Sequence, residues 1–175
     1  MKNATTMIMF VLLSSALGFS ETPAQLGGWS VYLASNQVVL LQSASEEQYK
    51  GPGDNQVPAK LDLICKKGKL SAIALEPGVT VKRSAMSFAG PVPTTRVNLS
   101  TDGRISHSEN WVVLDGGRTL SPNSELLQRK LMRYWAERIA GTQKTVVQVD
   151  GQSEAQSSFA TGELTEALAS VGCSY

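Results

Sequence analysis

Through its first 120 or so positions this chain shows no helical period. Short runs in which apolar residues alternate with polar ones follow one another, each closed by a turn signal, and that succession predicts antiparallel sheet. Residues 29–34 and 37–42 read as two strands joined at Ser35-Asn36, a first hairpin. Residues 43–58 carry Ser, Glu, Gly, Pro, Asp and Asn with almost no apolar content, which predicts a solvated loop. In residues 60–66, Leu61, Leu63 and Cys65 share one face; Lys67-Gly68 then turns the chain into a second apolar run, 69–75. That is a second hairpin, and it places Cys65 on the buried side. Pro77-Gly78 stops the run, 79–82 resume it, and 85–93 read as loop.

Residues 94–100 alternate again, with Arg96, Asn98 and Ser100 facing away from Val97 and Leu99. Asp102-Gly103 predicts a turn, 104–110 a polar partner strand, and 111–114 a further strand ended by Asp115-Gly116-Gly117. Helices come only in the last third. Ser121-Pro122 fits an N-cap followed by proline at the first helical position. Leu127, Leu131, Trp135 and Ile139 recur every four residues before Gly141. Residues 144–149 read as strand and 152–158 as polar loop. Thr161 is placed to cap a short helix bearing Leu164, Leu168 and Val171, which delivers Cys173 to the terminus. The predicted class is α+β: a strand-rich antiparallel sheet domain with two helices in the C-terminal half and one disulfide.

The N-terminus reads as a targeting segment. Lys2 precedes an apolar run, residues 7–13, and Gly18 and Ser20 occupy the −3 and −1 positions before Glu21. The expectation is a signal peptide over 1–20, a single globular exported domain over 21–175, a periplasmic or secreted location, and no stable membrane insertion after cleavage. Lysines and arginines number 16 against 15 acidic residues, so loss of Lys2 balances the charge. A balanced chain without a charge run offers little to nucleic acid or anionic lipid.

Two cysteines, Cys65 and Cys173, stand 108 positions apart. In an oxidising compartment a disulfide is the default reading of such a pair, with two buried thiols as the alternative. With one histidine and no paired metal-ligand spacing, no metal and no cofactor are expected.

Chemistry has few places to reside. A Ser-His-Asp triad must use His107, which lies in a polar segment that reads as a solvated strand. Gly151 to Ala155 is the nearest approach to a nucleophile elbow and lacks its final glycine. Asp102 with Glu109, or Glu46 with Glu47, are carboxylate pairs, but each has a plainer role in a turn or loop. Lys66, Lys67 and Lys69 form the densest basic cluster, and Lys82-Arg83 is expected near it. The plain reading is a charged hairpin tip that discourages edge pairing; the functional one is a docking spot for an acidic partner or an anionic glycan. Arg129, Lys130, Arg133 and Glu137 make a solvated helix face. Trp29, Trp111 and Trp135 are most simply core. For Trp111 a contact surface stays open, and with Arg96 it joins the three lysines as a candidate binding residue.

The order of Leu63-Ile64-Cys65, the Arg96-Val97-Asn98-Leu99 strand, Trp111, a helix with Leu131, the strand 146–149, and Phe159, Gly162, Leu164, Ala167 and Leu168 before Cys173 resembles the VasI-like (TagO-like) periplasmic proteins associated with type VI secretion. The similarity covers 61–175 and weakly 29–41. The chain departs from the pattern at Asn98, where an acidic residue is expected, and at Tyr175, two places after Cys173 instead of adjacent to it. The resemblance implies a non-enzymatic accessory protein whose partner is another envelope protein or complex, supports pairing Cys65 with Cys173, and transfers no catalytic residue. Two other expectations are an inhibitor of an exported enzyme such as a lysozyme, with 84–93 as its plug, and a hydrolase, the least supported.

Overall fold

The computed structural model describes residues 22–34, 37–50, 54–81, 85–86, 93–101, 104–122, 128–150 and 156–174, without the side chains of 85–86, 104–106 and 128–132. Residues 1–20, expected as a signal peptide, Ser35-Asn36 and Asp102-Gly103, expected as turns, and Lys82-Arg83, Leu127, Gly151 to Ala155 and most of 84–93 lie outside the described residues, as do the side chains of Arg129, Lys130 and Leu131.

Eleven strands form one antiparallel sheet. They are β1 (Ala24–Leu26), β2 (Trp29–Ala34), β3 (Val38–Lys50), β4 (Gln56–Lys66), β5 (Lys69–Glu76), β6 (Ala85–Met86), β7 (Pro93–Thr101), β8 (Arg104–Leu114), β9 (Thr119–Pro122), β10 (Lys144–Val149) and β11 (Gln156–Ala160). Helix α1 (Gln128–Ala140) lies between β9 and β10, and α2 (Leu164–Ser170) follows β11. The neighbour order β3-β11-β10-β7-β8-β9-β5-β4, with β4 back against β3, closes an eight-stranded barrel.

The closure is uneven. Strands β1 to β5 pair in sequence as a meander; in β11-β10-β7-β8-β9 the strands β7 to β9 pair in sequence and β10 returns beside β7, a Greek-key order, and both halves are held by multi-residue ladders. Between the two halves there is one bridge on each side, Phe159 opposite Ser45 and Leu75 opposite Leu120. Inside lies one apolar core that includes Trp29, Leu41, Leu63, Trp111, Trp135 and Phe159.

Several expectations hold. The β4–β5 hairpin turns at Lys67-Gly68, both in the left-handed region (φ 53° and 74°), the conformation a two-residue turn of primed type demands. Leu61, Leu63 and Cys65 face the core from β4. In α1, Trp135, Ala136 and Ile139 are buried while Arg133, Glu137 and Arg138 are exposed.

Other expectations are corrected. Residues 43–50 are not loop but the second half of β3, and β4 begins at Gln56. Its polar side chains replace backbone partners: Ser45, 6% exposed, accepts the Ala59 N–H through Oγ and donates to the Glu47 carbonyl. Residues 104–110 and 111–114 are one strand, and 156–158 belong to β11 with Ser157 and Ser158 buried. Ser121-Pro122 ends β9 and caps no helix; the Ser121 hydroxyl donates to the Ile73 carbonyl across the second seam. Thr161 caps nothing either. Its hydroxyl joins those of Thr142 and Thr145, and α2 starts from Glu163, whose backbone is left-handed. Residues 79–81 form no strand; Val81 N–H binds the Gly117 carbonyl instead.

Candidate functional site

The β4–β5 tip is the best-defined surface feature that the sequence singled out. Cys65 on β4 is bonded to Cys173 beyond α2, with 6.1 Å between their Cα atoms. The tail then runs along β5: Ser174 pairs in parallel with Lys69, Leu70 N–H donates to its carbonyl at 2.8 Å, and its own N–H donates to Gly68 at 3.0 Å. On the other flank Lys67 N–H donates to the Gln37 carbonyl. A turn held on both sides and by a covalent link keeps its side chains on a fixed frame. Lys66, Lys67 and Lys69 are exposed on that frame, and none is in an ion pair among the described residues.

Arg96 and Trp111 stand elsewhere. Arg96 is exposed on β7 and its Nε donates to Ser108 Oγ at 2.5 Å, in a network that runs on through Asn98 to Asp150. Trp111 is 1% exposed, edge-on to Trp135 with ring centroids 5.1 Å apart. It is core, which corrects its candidacy as a contact residue.

His107 is also corrected. Instead of a solvated strand position, it packs edge-on against Tyr134 at 4.7 Å and Trp135 at 5.4 Å, with its side chain 28% exposed. Its Nε2 lies 3.5 Å from Glu109 Oε2, and the Trp135 indole N–H reaches the same oxygen at 3.4 Å. On the outer side Arg138 stacks over the Tyr134 ring. The cluster fastens α1 onto β8 through ring contacts and the Trp135–Glu109 hydrogen bond, while His107 Nε2 neither accepts nor donates a hydrogen bond among the described residues.

Glu46 and Glu47 do not face one another across a cleft. Glu46 pairs with Lys144 at 2.6 Å, and Glu47 accepts the Ser158 backbone N–H at 2.6 Å. Burial acts to raise the Glu47 carboxyl, but the Ser158 hydrogen bonds outweigh it and hold the group below its ordinary value.

One group that the sequence did not single out is Asp62. It sits on the outward face of β4 between Leu61 and Leu63, yet is 8% exposed, accepting a bond from Gln42 Nε2 at 2.9 Å. Burial, with the Glu76 charge adding to it, pushes this carboxyl up to about 7; Gln42 and Lys60 oppose the shift. Simple alternation assigns Asp62 to solvent, so no local signal marks it.

Among the described residues no group of three or more His, Cys, Asp and Glu is arranged to hold a metal ion, and no helix is long and apolar enough to cross a membrane. Comparison with family models, with curated proteins and with solved structures finds no match to this chain.

Proposed function

We propose that this chain is a non-enzymatic exported binding protein whose partner is another envelope protein or complex, in the manner of an accessory to type VI secretion. The observation that supports it best is the lysine tip: three cations, in no ion pair among the described residues, on a hairpin held in place by the Cys65–Cys173 bond. Long flexible lysines lose entropy when they dock, and a rigid backbone beneath them limits that loss to the side chains. A disulfide at this position suits an oxidising compartment, in keeping with the signal segment. The secretion role rests on the family resemblance alone.

The experiment compares the exported wild type with a Lys66→Glu, Lys67→Glu, Lys69→Glu variant in pull-downs from envelope extract, followed by affinity measurement with the purified captured protein. Binding at least tenfold weaker in the variant, with an unchanged circular dichroism spectrum, is expected. Equal affinities would remove the tip from the binding face. A lysozyme inhibition assay on the same samples separates the inhibitor reading, and release of soluble fragments from peptidoglycan would establish turnover.

A further inference from the structure

Strand β11 has two unlike edges. Toward β10 it forms a continuous ladder, Lys144 to Gln148 opposite Ala160 to Gln156. Toward β3 it has a single bridge, Phe159 opposite Ser45, and three further backbone groups are met by side chains. Ser158 N–H donates to Glu47 Oε2 at 2.6 Å, and the Ala160 carbonyl accepts from Ser43 Oγ at 3.2 Å. The Gln156 carbonyl accepts from the Tyr49 hydroxyl, which also lies 2.8 Å from Ser157 Oγ. Lys144 on β10 spans the seam to Glu46 on β3. The source of this arrangement is a bulge in β3: the register passes from Ala44 opposite Lys60 to Gln48 opposite Pro58, leaving residues 45–47 against Ala59 alone. A bulge re-aims side chains and interrupts pairing, and here it turns a carboxylate to where a neighbouring strand would present a carbonyl.

We propose that the β3–β11 seam is a strand-acceptor site, latched by Glu47, at which an extended segment of a partner protein adds to β11. An incoming backbone offers at regular spacing the donors and acceptors that Ser43, Glu47 and Tyr49 now supply, so the exchange keeps those three β11 groups paired. The other single-bridge seam is a worse place to open. Its bridge residues, Leu75 and Leu120, are fully buried and apolar, and α1 packs against both β5 and β9. At the β3–β11 seam the buried side chains include four hydroxyls, Ser43, Ser45, Ser157 and Ser158, with Phe159 and Tyr49 as the members that join the apolar core. Displacing β3 also frees Lys144 from Glu46, so the favoured segment carries a carboxylate beside it. This inference does not use the lysine tip, and either can fail alone.

The probe is a synthetic peptide of residues 41–50 of this chain, whose native partner is β11. Backbone amide exchange in the intact protein should show Ser158 exchanging at least tenfold faster in Glu47→Ala than in wild type, with the β7–β8 amides unchanged. Glu47→Gln, which keeps an acceptor, should fall between the two. The peptide should bind Glu47→Ala at least tenfold more tightly than wild type. Binding should vanish when Glu46→Cys and Lys144→Cys are joined by a short bismaleimide across the seam. Exchange that rises equally throughout the barrel, peptide binding that survives the cross-link, or no binding to any form would overturn the proposal. A dimer that exchanges β3 between copies, seen by size-exclusion chromatography in place of peptide binding, would also overturn it.

Discussion

Asp62 carries a pH dependence whose sign follows from its surroundings. Its folded-state pKa of about 7 lies above the ordinary aspartate value, so between those two pH values the native state holds a proton that the unfolded chain has lost. Its contribution to stability is therefore fully present only below the ordinary aspartate value, falls as pH rises from there toward 7, and is flat above. Asn at this position keeps an acceptor for Gln42 without the buried charge. Asp62→Asn should stabilise the protein by on the order of 1–3 kcal/mol at pH 8 and by much less at pH 4.5, read by urea unfolding. A gain of equal size at both values would show that the carboxylate is not buried as described. His107 makes the same point about legibility. Its polar neighbours in sequence suggest solvent, but Tyr134 and Trp135 come down on it from a helix distant in the chain. His107→Ala should cost about 1–2 kcal/mol by removing those ring contacts, while partner binding stays within about threefold of wild type. A hundredfold loss of any turnover, with the fold intact, would speak for catalysis.

At the scale of elements, the β4–β5 hairpin and the buried stripe of α1 were readable because their apolar periods agree with their structure. For α1 the faces can be tested directly. Trp135→Ala should cost about 3–5 kcal/mol, since the indole is 1% exposed among other aromatic rings. Arg133→Ala should cost less than about 0.5 kcal/mol, since its pair with Glu137 is exposed. Equal losses in thermal melts would reverse the face assignment. The second half of β3 and the start of β11 were unreadable for a common reason. Both are rich in Ser with Glu or Gln, which ordinarily signals loop, and only the opposite element shows that those side chains stand in for a ladder. Caps failed for the same reason: Ser121 and Thr161 have the chemistry of N-caps, but their hydroxyls are claimed by Ile73 and by Thr142 and Thr145.

For the whole molecule, the covalent tie matters because the chain crosses between halves. Residues 24–76 build a meander and 93–160 the Greek-key half, and the tail beyond α2 returns to the first through Cys173. Cys173→Ala should cost about 2–5 kcal/mol in urea unfolding, with faster amide exchange at Leu70, where Ser174 accepts. Intact stability with free thiols in native material would dismiss the bond. By itself the sequence determined the strand-rich class, the hairpin that carries Cys65, the helix face around Trp135 and the pairing of two cysteines expected in an oxidising space. Those features depend on local alternation, turn chemistry and cysteine count. Closure into a barrel, the two single-bridge seams, the burial of Asp62 and Trp111, and the hold of α1 on His107 were decided only by the tertiary structure. Each depends on which remote segment lies opposite, and a side chain's solvent exposure and hydrogen-bond partner belong to that pairing and not to its neighbours along the chain.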